Sequence, residues 1–252
     1  MKIGAQLYTV RAHMQTSKDF ASTIKRVAEI GYETVQISGI SSEISAAEVA
    51  EVCKANNVEI VLTHTPPPRI IGDTQAVIQD HITMGAKYVG LGAAPASYER
   101  TQEGFDSFIA DYAPAVNAIK DAGLQFMYHN HEFEFIKIGD ITALEYLANK
   151  LPNADFTVDV FWVQAGGGDP AQWIKKFAGR ADIIHLKDYV IVGKERRFAE
   201  VMEGNLNWDA IFEAANSIGV KYAMVEQDNC YDRDPFESLD ISFQNLKKRG
   251  IV

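Results

Sequence analysis

The sequence predicts one parallel eight-stranded (β/α)8 barrel spanning residues 1–252. Short apolar runs alternate with helical patterns eight times, each unit takes roughly 30 residues, and no linker-like or low-complexity stretch interrupts the series. A doubly wound open sheet is the rival, but it usually has fewer strands and lacks this even spacing.

The first unit reads as a strand from Ile3 to Tyr8, then Phe20, Ile24, Val27 and Ile30 at helical spacing, with Gly31 as the stop. The second is Thr34 to Ser38 followed by Ala46 to Asn56. The third is Glu59 to Thr63 followed by Thr74 to Met84, ended by Gly85. The fourth is Tyr88 to Leu91 and then Phe105 to Ala122, closed by Gly123. The fifth is Gln125 to Tyr128 with a helix from Ile141 to Lys150. In the sixth, Phe156 to Val160 precedes a helix from Pro170 to Phe177, with Asp169 as N-cap and Pro170 in the first turn. The seventh has Asp182 to Leu186, a long polar connection, and a helix from Trp208 to Ser217 behind the cap Asn207. The eighth is Lys221 to Val225 and Pro235 to Lys248.

At a formal charge of -10 the chain is a poor match for nucleic acid or an anionic membrane, where clustered Lys and Arg must neutralise phosphates. The expected partner is a small molecule, with a homo-oligomer left open. Cys53 and Cys230 form no metal or redox motif, which suits a reducing cytoplasm. No apolar run is long enough to span a bilayer, and the first residues lack a charged segment leading into an apolar one, so a cytoplasmic location is expected.

Three of these strands end in a metal-competent side chain: Asp159 after Phe156-Thr157-Val158, His185 after Ile183-Ile184, and Glu226 after Tyr222 to Val225. In a parallel barrel such ends converge on the face that carries the active site. One imidazole and two carboxylates suit Mn²⁺, Co²⁺, Zn²⁺ or Mg²⁺. Alternation places Thr157, Asp159 and Phe161 on one face, toward the mouth. The plainer readings are a helix-capping Asp159 and a Glu226 paired with Lys187. Lys187 shares a face with His185, and either polarises a substrate oxygen or neutralises a carboxylate.

His129 is the expected fourth ligand, with His131 on its face if the strand continues; Glu132 is the alternative if the chain turns after Asn130. His131 and Glu132 are otherwise expected to meet substrate hydroxyls. His64, ending the third strand, is expected to bond a sugar hydroxyl, while Trp162 and Tyr8 supply apolar walls. Gly166-Gly167-Gly168-Asp169-Pro170 lacks the spacing of a phosphate loop and reads as a flexible turn with a helix cap. Lys194, Arg196 and Arg197 offer a receptor for a substrate phosphate, or are simply solvated.

Four segments, Tyr128-His129-Asn130-His131-Glu132-Phe133-Glu134-Phe135, His185-Leu186-Lys187-Asp188, Val225-Glu226-Gln227-Asp228 and Glu203-Gly204-Asn205-Leu206-Asn207-Trp208, give the chain its resemblance. It resembles the xylose isomerase-like TIM-barrel superfamily along essentially its whole length, especially the proteins described as sugar phosphate isomerases/epimerases. The resemblance implies a divalent metal held at the ends of strands five to eight, here matching His129, Asp159, His185 and Glu226. It also implies an isomerase or epimerase working through an enediolate, with Glu226 as ligand and base and His129 or Lys187 as the complementary acid. Ketose epimerases of the family carry a glutamate at the fifth strand end, where this chain has His129. Imidazole for carboxylate lowers the ligand charge from about -3 to about -2 and leaves a bound ion the stronger Lewis acid. The runner-up activity is a metal-dependent lyase or dehydratase on a keto-sugar or keto-inositol, and a third reading is a non-catalytic sugar-binding protein.

Overall fold

A computed structural model describes residues 1–252. Eight parallel strands form a closed ring in chain order: β1 (Lys2–Gln6), β2 (Thr34–Ile37), β3 (Glu59–His64), β4 (Tyr88–Leu91), β5 (Gln125–His129), β6 (Ala154–Asp159), β7 (Ile183–Leu186) and β8 (Tyr222–Val225). Pairing of β8 with β1, Met224 opposite Gly4 and Val225 opposite Ala5, closes the barrel. Ten α-helices lie between and after the strands: α1 (Ser17–Ile30), α2 (Ala46–Ala55), α3 (Pro67–Gly72), α4 (Thr74–Met84), α5 (Gln102–Asp121), α6 (Ala143–Lys150), α7 (Val160–Ala165), α8 (Pro170–Lys176), α9 (Trp208–Ile218) and, following β8, α10 (Pro235–Lys248). None of them is long and apolar enough to cross a membrane.

Strands buried on both faces need near-continuous apolar sequence, as in the wholly buried Tyr88–Leu91. Outward side chains such as Val158 and Ile184 join the core beneath the helices, whereas Leu62, Tyr88, Met127, Ile183 and Met224 pack inside the barrel. The interior is narrow: a Cβ on Gly4 would lie 2.4 Å from Thr34 Oγ1 and 2.5 Å from Met224 Sδ. Inward positions recur every second residue. Two residues beyond Met127, Thr157, Ile183 and Met224 stand His129, Asp159, His185 and Glu226, so the apolar plug is the floor of the polar cluster.

Several element ends differ from expectation, each for a local polar reason. β1 stops at Gln6, because the Tyr8 amide donates to Gln6 Oε1 (2.8 Å) and Leu7–His13 winds into a 3-10 turn. β6 stops at Asp159, whose Oδ1 accepts the Trp162 amide (2.9 Å) and caps α7. Phe161 therefore leaves the Asp159 face and packs on Tyr189 and Phe198. β5 ends at His129, so His131 is not its neighbour along a strand; Glu132–Phe135 form a 3-10 turn and a short hairpin precedes α6.

The polar connection after β7 is an antiparallel hairpin, Asp188–Val192 against Glu195–Ala199, rather than an irregular loop. Asp188 anchors it. Its buried carboxylate accepts the amides of Tyr189, Met202 and Gly204 and the Trp208 indole N–H at 2.8–3.0 Å, with a longer contact from the Leu206 amide.

Candidate metal centre

His129 Nε2, Asp159 Oδ2, His185 Nδ1 and Glu226 Oε2 face one point at the mouth of the barrel. The four residues are buried, and one ligand atom from each lies within 4.8 Å of the others. The close pairs are His185–Glu226 at 3.0 Å, His129–Asp159 at 3.3 Å and His185–Asp159 at 3.7 Å. An ion bonded at about 2.0–2.2 Å to nitrogen and oxygen donors spaces its ligands by about 3–3.5 Å, so the donor set fits a divalent cation.

Each residue's other polar atom is tied back to the protein. His129 Nδ1 donates to the Gly92 carbonyl (2.8 Å), and His185 Nε2 donates to Gln36 Oε1 (2.8 Å). Asp159 Oδ1 accepts the Trp162 amide, and Glu226 Oε1 accepts from Gln6 Nε2 (2.9 Å). Such outer contacts fix which atom a ligand offers. The helix-cap reading of Asp159 and the ligand reading thus use different oxygens of one carboxylate.

The Lys187 ammonium sits beside the cluster, 3.0 Å from Glu226 Oε2, 3.6 Å from Asp159 Oδ2 and 2.9 Å from Asp228 Oδ1. Burial disfavours its charge, but Glu226, Asp159 and Asp228 outweigh that and hold its pKa above the usual lysine value. Burial also opposes ionisation of Asp159 and Glu226, yet Lys187 and the histidines keep both carboxyls below the ordinary range. His185 is raised: the desolvation that would lower it is overcome by Glu226 and Asp159.

A cavity of about 640 Å³ opens above the cluster, a volume suited to a small molecule. Tyr8, His64, His131 and Lys187 line it, together with Arg11 and Asp228. His64 lies with its ring 5.2 Å from His129 and 5.7 Å from His185. Burial, reinforced by His129 and His185, holds its pKa well down. Burial and then His129 bring His131 down to about 3, so both rings are neutral hydrogen-bonding groups at neutral pH. His64 Nε2 and His131 Nδ1 have no partner within the chain. Trp162 does not line the cavity; it stands behind, 4.9 Å from His131 and 5.1 Å from Lys187 Nζ.

Glu132 lies apart from the cluster, exposed at the start of its 3-10 turn, so the residue brought to the fourth position is His129. Lys194, Arg196 and Arg197 are exposed on the hairpin and do not line the cavity, which leaves the solvated reading for them. Gln6, Gln36 and Arg11 are not marked out by the strand-end pattern, and Asn130 and Asp228 stand in the quoted motifs without a role. For the two glutamines a signal was present, an amide inside the otherwise apolar strands Ile3-Gly4-Ala5-Gln6 and Thr34-Val35-Gln36-Ile37. Asn130, which accepts the Asp159 amide and links the ends of β5 and β6, and Arg11, whose guanidinium lies over the Tyr8 ring, declare themselves only in three dimensions.

A model of the xylose isomerase-like TIM barrel family matches residues 24–248. No curated protein sequence matches the chain. Among solved structures, the chain is similar to a sugar phosphate isomerase/epimerase from Parabacteroides distasonis at 22% identity, covering 98% of each chain with a TM-score of 0.80. It is also similar to a D-allulose 3-epimerase from Methylomonas sp., at 15% identity over 99% of this chain and 98% of that one, TM-score 0.72. A probable 3-DHS dehydratase from Bacillus anthracis aligns at 13% identity over 99% of this chain and 100% of that one, TM-score 0.75. At these identities the structural likenesses establish the fold. With the family model covering most of the sequence, the chain belongs to the xylose isomerase-like TIM-barrel family.

Proposed function

We propose that this protein is a divalent-metal-dependent isomerase or epimerase of a sugar or sugar derivative, working through an enediolate. The observation that carries the reading is the convergence of His129 Nε2, Asp159 Oδ2, His185 Nδ1 and Glu226 Oε2, each tied behind, beneath an open cavity. A divalent ion in this set supplies Lewis acidity that polarises a substrate carbonyl and the hydroxyl beside it.

The chain's own groups divide the remaining work. Glu226, which lines the cavity, serves as ligand and as acceptor of the proton from the carbon beside the carbonyl. His129 has Nδ1 bonded to Gly92 and Nε2 turned to the cluster, so a bound ion would occupy it as a ligand. Lys187, held protonated by three carboxylates, is left as the complementary acid. His64 and His131, both neutral and lining the cavity, bind substrate hydroxyls, and Tyr8 covers a carbon face of the sugar.

The cage around Lys187 also suits elimination, since a fixed ammonium protonates a departing β-substituent equally well; that is the second reading. One experiment separates these outcomes. EDTA-stripped protein is incubated in deuterated water with a panel of ketoses and keto-sugars, with and without Mn²⁺, and products are followed by NMR and mass. The expected result is turnover only with metal, deuterium at the carbon beside the carbonyl, and otherwise unchanged mass. Loss of water or an aglycone reassigns the protein as a lyase. Tight binding without exchange makes it a binding protein, and full activity without metal overturns the mechanism.

A further inference from the structure

We propose that Gln36 is a positioning residue that decides which nitrogen of His185 meets the metal, an inference that rests on the metal-dependent reading above. His185 is fully buried and its two nitrogens face different groups. Nε2 lies 2.8 Å from Gln36 Oε1, while Nδ1 lies 3.0 Å from Glu226 Oε2 and 3.7 Å from Asp159 Oδ2. An amide oxygen only accepts, so Nε2 carries a hydrogen, and Nδ1, which faces Glu226 and Asp159, is the nitrogen left to offer an electron pair once a cation displaces any proton there. With the hydrogen on Nδ1 alone, that nitrogen would donate to Glu226 and would have no electron pair for a cation. Gln36 therefore selects between a ligand and a merely hydrogen-bonded histidine.

Three observations single out Gln36 for this role. It reaches His185 from β2, on a strand that does not pair with β7, so the contact crosses the barrel interior. Its side chain is fully buried with Nε2 unpartnered, an arrangement that works against folding and that sequences retain mainly at functional positions. The support of the other histidine, His129, comes from a main-chain carbonyl, Gly92, which no side-chain substitution removes. Gln36 is also uncharged: a carboxylate in its place would make Nδ1 of His185 a more basic donor, whereas the amide fixes the tautomer and adds no charge to the site.

The test uses the full chain with Q36L, Q36M and Q36E. Mn²⁺ affinity of the metal-stripped proteins is measured by calorimetry, and the hydrogen-bearing nitrogen of His185 is identified by ¹H–¹⁵N NMR of the Zn²⁺-loaded, ¹⁵N-histidine-labelled proteins. Wild type is expected to show the hydrogen on Nε2. Q36L and Q36M are expected to bind Mn²⁺ about ten- to a hundredfold more weakly and to lose the protected Nε2–H signal. Q36E, which restores an acceptor of the same shape, is expected to bind at least as tightly as wild type. Q36M keeps the length of the side chain and serves if Q36L does not fold. Unchanged affinity in Q36L or Q36M, or a hydrogen on Nδ1 in the loaded wild type, overturns the assignment while leaving the metal reading intact. A folded wild type that takes up no Mn²⁺ overturns both.

Discussion

Lys187 is the side chain on which the electrostatics of the centre turn. With one ammonium within 3.6 Å of Glu226, Asp159 and Asp228, its loss leaves buried carboxylates facing one another. Breaking a buried ion pair from one side typically costs about 3–5 kcal/mol. Metal-free K187M is therefore expected to unfold at a clearly lower urea concentration than wild type, and Mn²⁺ is expected to stabilise it by more than it stabilises wild type. Turnover of the metal-loaded variant should fall by roughly 10²–10⁴, the usual contribution of a placed acid; unchanged turnover would remove Lys187 from the reaction. Glu134 gives a separate pH signature. Buried beneath the β5 turn, it accepts from the Tyr128 hydroxyl and the His131 amide, yet burial pushes its pKa up to about 8 from 4.5. Between those values the folded chain keeps a proton that the unfolded chain has released, so this carboxyl's contribution to stability declines as pH rises through the window. The slope is at most about 1.4 kcal/mol per pH unit. E134Q should flatten the dependence of urea midpoint on pH between about 5 and 8, and an unaltered profile would contradict the assignment.

At the scale of elements, the hairpin after β7 depends on Asp188 more than on its own ladder. In D188A the amides of Tyr189, Met202 and Gly204 and the Trp208 indole all lose their acceptor, at about 1–3 kcal/mol for each group left buried and unsatisfied. Gly204 has no room for a side chain, since a Cβ would stand 2.2 Å from the Tyr189 carbonyl oxygen and 2.4 Å from Asp188 Oδ1. Both D188A and G204A should speed amide exchange across residues 188–206 and weaken the placement of Phe198 over Trp162 and Lys187, whereas exchange in β1–β4 stays as in wild type. Uniform acceleration through the barrel would show that the knot is not local. This element marks where sequence reading reaches its limit. The eight strands are legible because burial on both faces demands continuous apolar runs, and His129, Asp159, His185 and Glu226 are legible as polar residues closing four of them. Strand ends are less so: β1 and β6 stop early because Gln6 and Asp159 bond the backbone two and three residues on, a competition that apolar patterning does not register. His185-Leu186-Lys187-Asp188 and Glu203 to Trp208 stand out as separate motifs, but that one carboxylate joins them is visible only when the chain is folded.

For the whole molecule, the barrel's register makes six strands meet at one point. β5 to β8 deliver the ligand atoms, and β1 and β2 deliver Gln6 and Gln36 behind Glu226 and His185. An ion bound there ties the ring together, so binding should appear as global stability. At a free Mn²⁺ concentration of 100 Kd the gain is about 2.7 kcal/mol, which for a chain of this size raises Tm by roughly 5–10 °C. EDTA should reverse the shift, and a D159N/E226Q double variant should show almost none of it. The most direct measurement is anomalous diffraction at the manganese edge from a crystal grown with Mn²⁺. The account predicts one strong peak at the barrel mouth, about 2.0–2.3 Å from His129 Nε2, Asp159 Oδ2, His185 Nδ1 and Glu226 Oε2. No peak there, or Mn²⁺ bound elsewhere while Lys187 remains between Glu226 and Asp159, would contradict it.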